Sequence, residues 1–230
     1  LLPGYDQGWW SIQDAGAQLA APLVAAAVQG VERPRVLDAC AAPGGKTGHL
    51  LELADCKMLA LDLDAQRMAR VESNLKRLGL SATTRVADAV KRETWWDGAP
   101  FERILVDAPC SGSGVVRRHP DIKWTRRASD LAGFAEQQFA LLAALWPTLA
   151  PGGRLLYVTC SIFRAENQDV IDRFLARQSD AVRVALDPQL APAAQIDQNS
   201  GDNPGQQASG TLLPNDAHDG FFYALLEKRG

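Results

Sequence analysis

The sequence predicts a doubly wound α/β domain: a mostly parallel sheet with helices on both faces. Two observations lead there. Short apolar runs alternate with segments of helical periodicity along most of the chain. Nearly every such run also ends on an acid or a cysteine, which is where an open parallel sheet holds its ligands.

The elements follow in order. Gly8–Gln13 is turn-like and aromatic, and Gln13–Val28 is an alanine-rich helix. Together they form a lead-in segment, residues 1–34, ahead of the sheet-bearing domain at 35–230. Arg35–Cys40 reads as the first strand and opens into the turn Pro43-Gly44-Gly45. Lys57–Asp62 is the second. Asp64 then caps a helix whose apolar positions Met68, Val71, Leu75 and Leu78 share one face, and Gly79 supplies a left-handed stop.

Thr84–Ala87 is a third strand ending at Asp88, and Ile104–Val106 a fourth running into Asp107-Ala108-Pro109-Cys110. Leu131, Phe134, Leu141, Leu145 and Leu149 mark a long amphipathic helix, closed by Pro151-Gly152-Gly153. Leu155–Val158 is the fifth strand and leads to Thr159-Cys160-Ser161, followed by a helix over 165–177. Residues 187–210, rich in Pro, Gln, Asn, Gly and Ser, read as a flexible loop. Phe221–Glu227 is the last strand.

At 230 residues the chain fits one substantial domain. Its 47% hydrophobic and 22% charged residues allow a large core without staples. Cys40, Cys56, Cys110 and Cys160 contain no C-x-x-C pair, which argues against a zinc site and a disulfide framework and for a reducing cytoplasm. No metal and no membrane partner is expected, since no apolar run approaches the roughly 20 residues of a spanning helix. A monomer is the default. The chain opens at Leu1 with no signal-peptide pattern, so a region of a longer protein is expected.

A net charge of −3 does not advertise a nucleic-acid partner. One stretch does. Arg117, Arg118, Lys123, Arg126 and Arg127 are opposed locally only by Asp121, and phosphate contacts need local positive potential rather than a basic protein. The alternative is a solvated charged loop.

The turn at 40–47, Cys-Ala-Ala-Pro-Gly-Gly-Lys-Thr, ends like a phosphate-binding loop. However, Cys40 replaces that loop's first glycine and Pro43 removes a backbone N–H from the cradle. The spacing G-x-G-x-x-G fails too, because Gly44 and Gly45 are adjacent. What remains is a backbone turn that can approach a nucleoside, with Asp62 placed to accept two ribose hydroxyls and Asp88 an amino group of the base. Several carboxylates and no arginine suit a cationic sulfonium better than a pyrophosphate, so S-adenosylmethionine is preferred to ATP or NAD.

Cys110 and Cys160 sit in turn sequences just beyond two strands. A thiolate added to C6 of cytosine makes C5 enamine-like and able to accept a methyl group. Asp107, against the N3/N4 edge, would stabilise the protonated adduct. Which cysteine attacks is open at this level. Cys56 and the Cys40 thiol read as core.

The stretches Asp-Ala-Cys-Ala-Ala-Pro-Gly-Gly-Lys-Thr (38–47), Asp-Ala-Pro-Cys-Ser-Gly-Ser-Gly (107–114) and Thr-Cys-Ser (159–161) resemble the RNA cytosine-5 methyltransferases. Residues 117–124 (RRHPDIKW), 218–224 (HDGFFYA) and the Pro3-Gly4-Tyr5…Gln13-Asp14 lead-in are similar to the bacterial Sun/Fmu (RsmB) type, which acts on small-subunit ribosomal RNA. The resemblance implies a class I methyltransferase (Rossmann-like) fold. Cofactor contacts would come from Cys40, Ala41, Ala42, Pro43, Gly44, Gly45, Lys46, Asp62, Asp88 and Asp107. It implies Cys160 as nucleophile and Cys110 as the residue that releases product, with Asp107 and Lys46 completing the catalytic set. The family's usual N-terminal RNA-binding domain is not part of this sequence. Ribosomal RNA is the expected substrate, with another RNA such as tRNA the second choice. Rival readings are a P-loop NTPase and a non-catalytic RNA-binding module, the latter disfavoured by the presence of both cysteines.

Overall fold

The computed structural model describes residues 2–25, 31–187 and 210–230. The proposed loop at 187–210, apart from its two ends, lies outside the described residues, as does the expected C-terminal end of the lead-in helix at 26–28.

Eight strands among the described residues form one sheet: β1 (Arg35–Asp38), β2 (Lys57–Asp62), β3 (Thr83–Val86), β4 (Phe101–Asp107), β5 (Leu149–Thr159), β6 (Ala181–Val184), β7 (Thr211–Leu212) and β8 (Phe221–Lys228). Their order is β3-β2-β1-β4-β5-β8-β6, with β7 also paired to β8. Strands β1–β5 run parallel, and β8 is antiparallel to both β5 and β6. Strand order reverses between β1 and β4, so the crevice beyond their carboxyl ends is where such a sheet holds a ligand.

Among the described residues six helices accompany it: α1 (Ala20–Ala25), α2 (Gly45–Leu53), α3 (Ala65–Leu78), α4 (Ile122–Thr125), α5 (Ala128–Leu145) and α6 (Gln168–Arg177). The central strands are buried on both faces. Along β5, Leu155 and Tyr157 join a core with Leu142 and Phe174 of α5 and α6, while Leu156 and Val158 join one with Ala21 and Val24 of α1. That two-sided burial produces the continuous apolar runs of the sequence. Each fully buried aliphatic or aromatic side chain contributes about 1.5–3 kcal/mol.

Helix α3 forms as its sequence predicts. The Asp64 carboxylate accepts the Gln66 and Arg67 N–H groups, Met68, Val71 and Leu75 are buried, and Gly79 ends it at φ 69°. Elsewhere the elements differ from expectation. Helix α5 stops at Leu145, because Pro147 lacks an N–H and its ring would crowd the preceding turn. Leu149, expected on that helix, instead opens β5 opposite Phe101. The chain over Arg164–Glu166 is a 3₁₀ turn, and α6 starts only at Gln168. In the lead-in, residues 17–19 are 3₁₀ and α1 begins at Ala20. No helix among the described residues is long and apolar enough to cross a membrane.

Candidate active site

The turn after β1 is tied to both neighbouring strands. Ala39 N–H donates to the Leu105 carbonyl at 2.9 Å, and Ala41 N–H to Leu61 at 2.8 Å. Gly44 has φ 99°, and a Cβ there would stand 3.0 Å from the α carbon of Val71, so conformation and space both demand glycine. Under the turn, the buried Thr47 hydroxyl donates to Asp38 Oδ2 at 2.7 Å, while Asp38 Oδ1 has no hydrogen-bond partner among the described residues. Burial pushes the Asp38 carboxyl up to about 7, against the Thr47 hydrogen bond. The same burial, with Asp38, Asp107 and Asp62 nearby, holds the Cys40 thiol protonated.

Asp62 is buried at the end of β2. Its Oδ2 accepts the Ala42 N–H at 3.1 Å and its Oδ1 the Asp64 N–H at 3.0 Å. Each oxygen keeps a further lone pair. Asp88 accepts the Val90 N–H and is partly exposed, with Lys91 Nζ 3.9 Å away. The expectation of a pocket without arginine fails. Arg67, on the first turn of α3, donates to the Ala42 carbonyl at 3.1 Å and lies 3.6 Å from Asp62 Oδ1. The sharp return from β2 into α3 carries that side chain back over the turn.

The two cysteines meet. Ala108 N–H donates to the Val158 carbonyl, aligning the chain beyond β4 with the end of β5, and the Cys110 and Cys160 sulfurs stand 3.4 Å apart. The pair is asymmetric. The hydrogen bond from Cys110 holds the Cys160 thiol below its ordinary value, helped by Lys46 and opposed by burial and Asp107. Cys110, the donor in a buried setting, is pushed well above its own. Lys46 Nζ donates to Asp107 Oδ2 at 2.6 Å, which joins the turn to the cysteine loops.

Backbone packing fixes the Cys110 loop in turn. Gly114 donates to the Cys160 carbonyl and accepts from Gly220 N–H, both at 2.9 Å. A Cβ on Gly114 would fall 2.1 Å from the Gly220 carbonyl oxygen and 2.9 Å from that of Cys160.

The basic segment is only partly free. Arg118 Nε donates to the buried Asp219 carboxylate at 2.6 Å, and Arg117 lies 3.6 Å from the same group and donates to the Asp216 carbonyl. Asp121 is thus not the only acid opposing the segment: the fold brings in Asp219 from about a hundred residues away. Arg126 donates to the Ser111 carbonyl at 3.0 Å and sits over the Phe134 ring. Lys123 and Arg127 are exposed, and between them on α4 Trp124 is 87% exposed.

Sequence reasoning passed over Arg67 and Glu166, and gave Asp219 and Trp124 no role beyond their place in the family-like stretches 218–224 and 117–124. The one hint of Glu166 was a serine directly after each cysteine, since a buried hydroxyl needs an acceptor and the carboxylate at 166 is close by in sequence to Ser161.

The family described as "16S rRNA methyltransferase RsmB/F" matches residues 25–227. The ribosomal RNA small subunit methyltransferase B of Pseudomonas syringae pv. tomato is 52% identical, over 99% of this chain and 49% of its own length. That of Vibrio vulnificus is 47% identical with the same coverage. The chain therefore spans about half the length of the curated relatives it matches. Among solved structures, NSun6 from Pyrococcus horikoshii, determined with SFG, superposes with a TM-score of 0.79 at 26% identity, covering 100% of this chain and 56% of that one. A methyltransferase homologue from the same organism gives 0.76 at 29% identity, covering 99% and 70%.

Proposed function

The chain belongs to the 16S rRNA methyltransferase RsmB/F family, and on that premise we propose that it methylates C5 of a cytosine in small-subunit ribosomal RNA with S-adenosylmethionine as donor. The observation that carries the reading is the pair of sulfurs 3.4 Å apart beyond β4 and β5, with Cys160 the more acidic. The residues present fit the cofactor. Asp38 offers a buried oxygen without a protein partner, and Asp62 a spare lone pair on each oxygen. Carboxylates under the turn would repel a pyrophosphate, which disfavours the P-loop reading. The turn at 40–46, Asp62, Asp88 and Asp107 would hold the cofactor, which supplies an electrophilic methyl group.

The chain's own residues do the rest. The Cys160 thiolate adds to C6, forming the S–C6 bond and placing electron density on C5. Asp107, held by Lys46, faces the N3/N4 edge and stabilises the protonated ring. After C5 is methylated, the C5 proton passes to solvent with the help of Cys110, the C5–H pair forms the C5=C6 bond, and Cys160 leaves with the S–C6 pair as thiolate. The base must leave its stack to reach the sulfur. Lys123, Arg127 and the outer faces of Arg117, Arg118 and Arg126 then contact phosphates. Two free thiols so close persist in a reducing cytoplasm, where we place the protein.

One gel tests the roles, with protein, cofactor and RNA containing the target cytosine. Cys160→Ser should abolish methylation and leave no covalent complex. Cys110→Ala should attack and methylate, then stall as a protein–RNA complex that survives denaturing electrophoresis. A stable complex from Cys160→Ser and none from Cys110→Ala would reverse the assignment.

A further inference from the structure

The chemistry above leaves Glu166 unused, although it is completely buried beneath the cysteines. Its Oε1 accepts the Ser111 N–H at 2.7 Å and the Gln138 amide at 3.3 Å. Its Oε2 accepts both the Ser111 and the Ser161 hydroxyl, each at 2.6 Å. No cation lies within ion-pair distance of it among the described residues, so hydroxyl and amide donors alone satisfy it.

Ser111 follows Cys110 and Ser161 follows Cys160. Because the carboxylate takes both hydroxyl hydrogens, each serine oxygen is left as an acceptor. Ser111 Oγ then accepts the Ser113 N–H at 3.3 Å, and Ser161 Oγ the Phe163 N–H at 3.1 Å. One acceptor thereby shapes two turns that are 50 residues apart in sequence. Glu166 is itself fixed, since its carbonyl accepts the Tyr157 hydroxyl at 2.6 Å.

Resting on the reading of Cys110 and Cys160 as the reacting pair, we propose that Glu166 is the positioning residue that sets their separation and keeps the Cys110 thiol directed at the Cys160 sulfur. The groups that bear on Cys160 are Lys46 from α2, Asp107 from β4, Tyr223 from β8 and Cys110 itself. Glu166 reaches Cys110 through Ser111 and Cys160 through Ser161, and its effect on Cys160 ionisation is assigned to the Cys110 arm. Glu166→Gln is the sharp substitution, for it is isosteric. Its amide oxygen can still take the serine hydroxyls, but its NH₂ then faces the Ser111 N–H and the Gln138 amide, donor against donor. Ser111 must move, and Cys110 with it.

The readout is alkylation of Cys160 by iodoacetamide as a function of pH, quantified on the Cys160 peptide. It requires neither RNA nor cofactor, so failed methyl transfer would leave its outcome intact, and the reverse also holds. Glu166→Gln should raise the pH midpoint by about one unit. That corresponds to roughly a three- to tenfold slower reaction at neutral pH, since a more basic thiolate recovers part of the loss. Cys110→Ala should give a similar shift, and the double variant no more than either alone, as expected for residues acting in series. Ser111→Ala, which removes one link and keeps the carboxylate, should shift the midpoint the same way by less. It serves as the informative variant should Glu166→Gln fold poorly by circular dichroism. An unchanged midpoint in both folded variants overturns the proposal. So does a Glu166→Gln shift that adds fully to that of Cys110→Ala, because Glu166 would then act by another route.

Discussion

The turn at 40–47 and the two cysteine loops share one edge of the sheet and are joined by the Lys46–Asp107 pair, yet they are held by different means. The turn is a backbone structure. Its ties run to Leu61 and Leu105, its glycine is dictated by Val71, and Asp62 accepts N–H groups of its own surroundings. The cysteine loops depend on side chains and on segments near 111, 161 and 219 meeting in space. Damage in the turn should therefore act on the ligand and on local ionisation, and damage in the loops on the geometry of two sulfurs.

The largest effect expected on the turn side concerns Asp38. Its carboxyl is raised from 3.8 to about 7 by burial, so between those values the folded protein holds a proton that the unfolded chain has released. Stability is then greatest at low pH and falls as pH rises through the folded value. The total is on the order of 4 kcal/mol for a shift of about three units. Asp38→Asn, still able to accept from Thr47, should flatten the melting temperature between about pH 4 and pH 7. A slope equal to wild type would remove the buried acid from the comparison.

On the loop side, Gly114→Ala places a methyl against two carbonyl oxygens. It should cost about 3 kcal/mol in denaturant unfolding, at the upper end of overpacking. It should also part the sulfurs, so that Cys160 alkylates at a higher pH. A stable Gly114→Ala protein with an unchanged thiol profile would break the idea that backbone contact at Gly114 helps the side-chain bonds hold the pair.

Asp62→Ala removes a charge-assisted acceptor and should weaken S-adenosylmethionine binding by about 1.5–3 kcal/mol in calorimetry. The Cys160 midpoint should stay put. If both moved together, the two regions would not be separable. Least in magnitude, neutralising Lys123 and Arg127 should lower the slope of log affinity against log salt by roughly 1.4–1.8 for RNA, two phosphate contacts' worth. Arg118→Gln should instead destabilise the fold, since it strips a buried Asp219 of a partner. A salt slope identical to wild type for the first pair would return the segment to a solvated loop.

Much of the parallel half of the sheet was legible in the chain. β2, α3 with its Asp64 and Gly79 ends, and the apolar runs of β1, β4 and β5 are local signals, written in caps, glycines and buried runs of one segment. β6 was missed. It has four residues and lies at an edge with three of them only half buried, so it carries neither alternation nor a continuous apolar run. The start of β5 was misread for the opposite reason. Leu149 continues a helical period, and only its pairing with Phe101 draws it into the sheet. At the site, Asp107, Cys110 and Cys160 stood out because they end strands. Arg67, Glu166 and Asp219 did not, because each matters through partners far along the chain.

By itself, then, the sequence determined the alternation of strands and helices, a glycine turn at Pro43-Gly44-Gly45, and the candidate sulfurs at strand ends. These follow from backbone conformation and burial pattern, which a few adjacent residues settle. Only the tertiary structure decided that the two sulfurs face each other at 3.4 Å. It alone also decided that Arg117, Arg118 and Arg126 of the basic segment are tied down by Asp219 and Ser111. Such outcomes depend on distances between segments 15 to 101 residues apart, and those distances are set by the packing of the whole sheet rather than by any local preference.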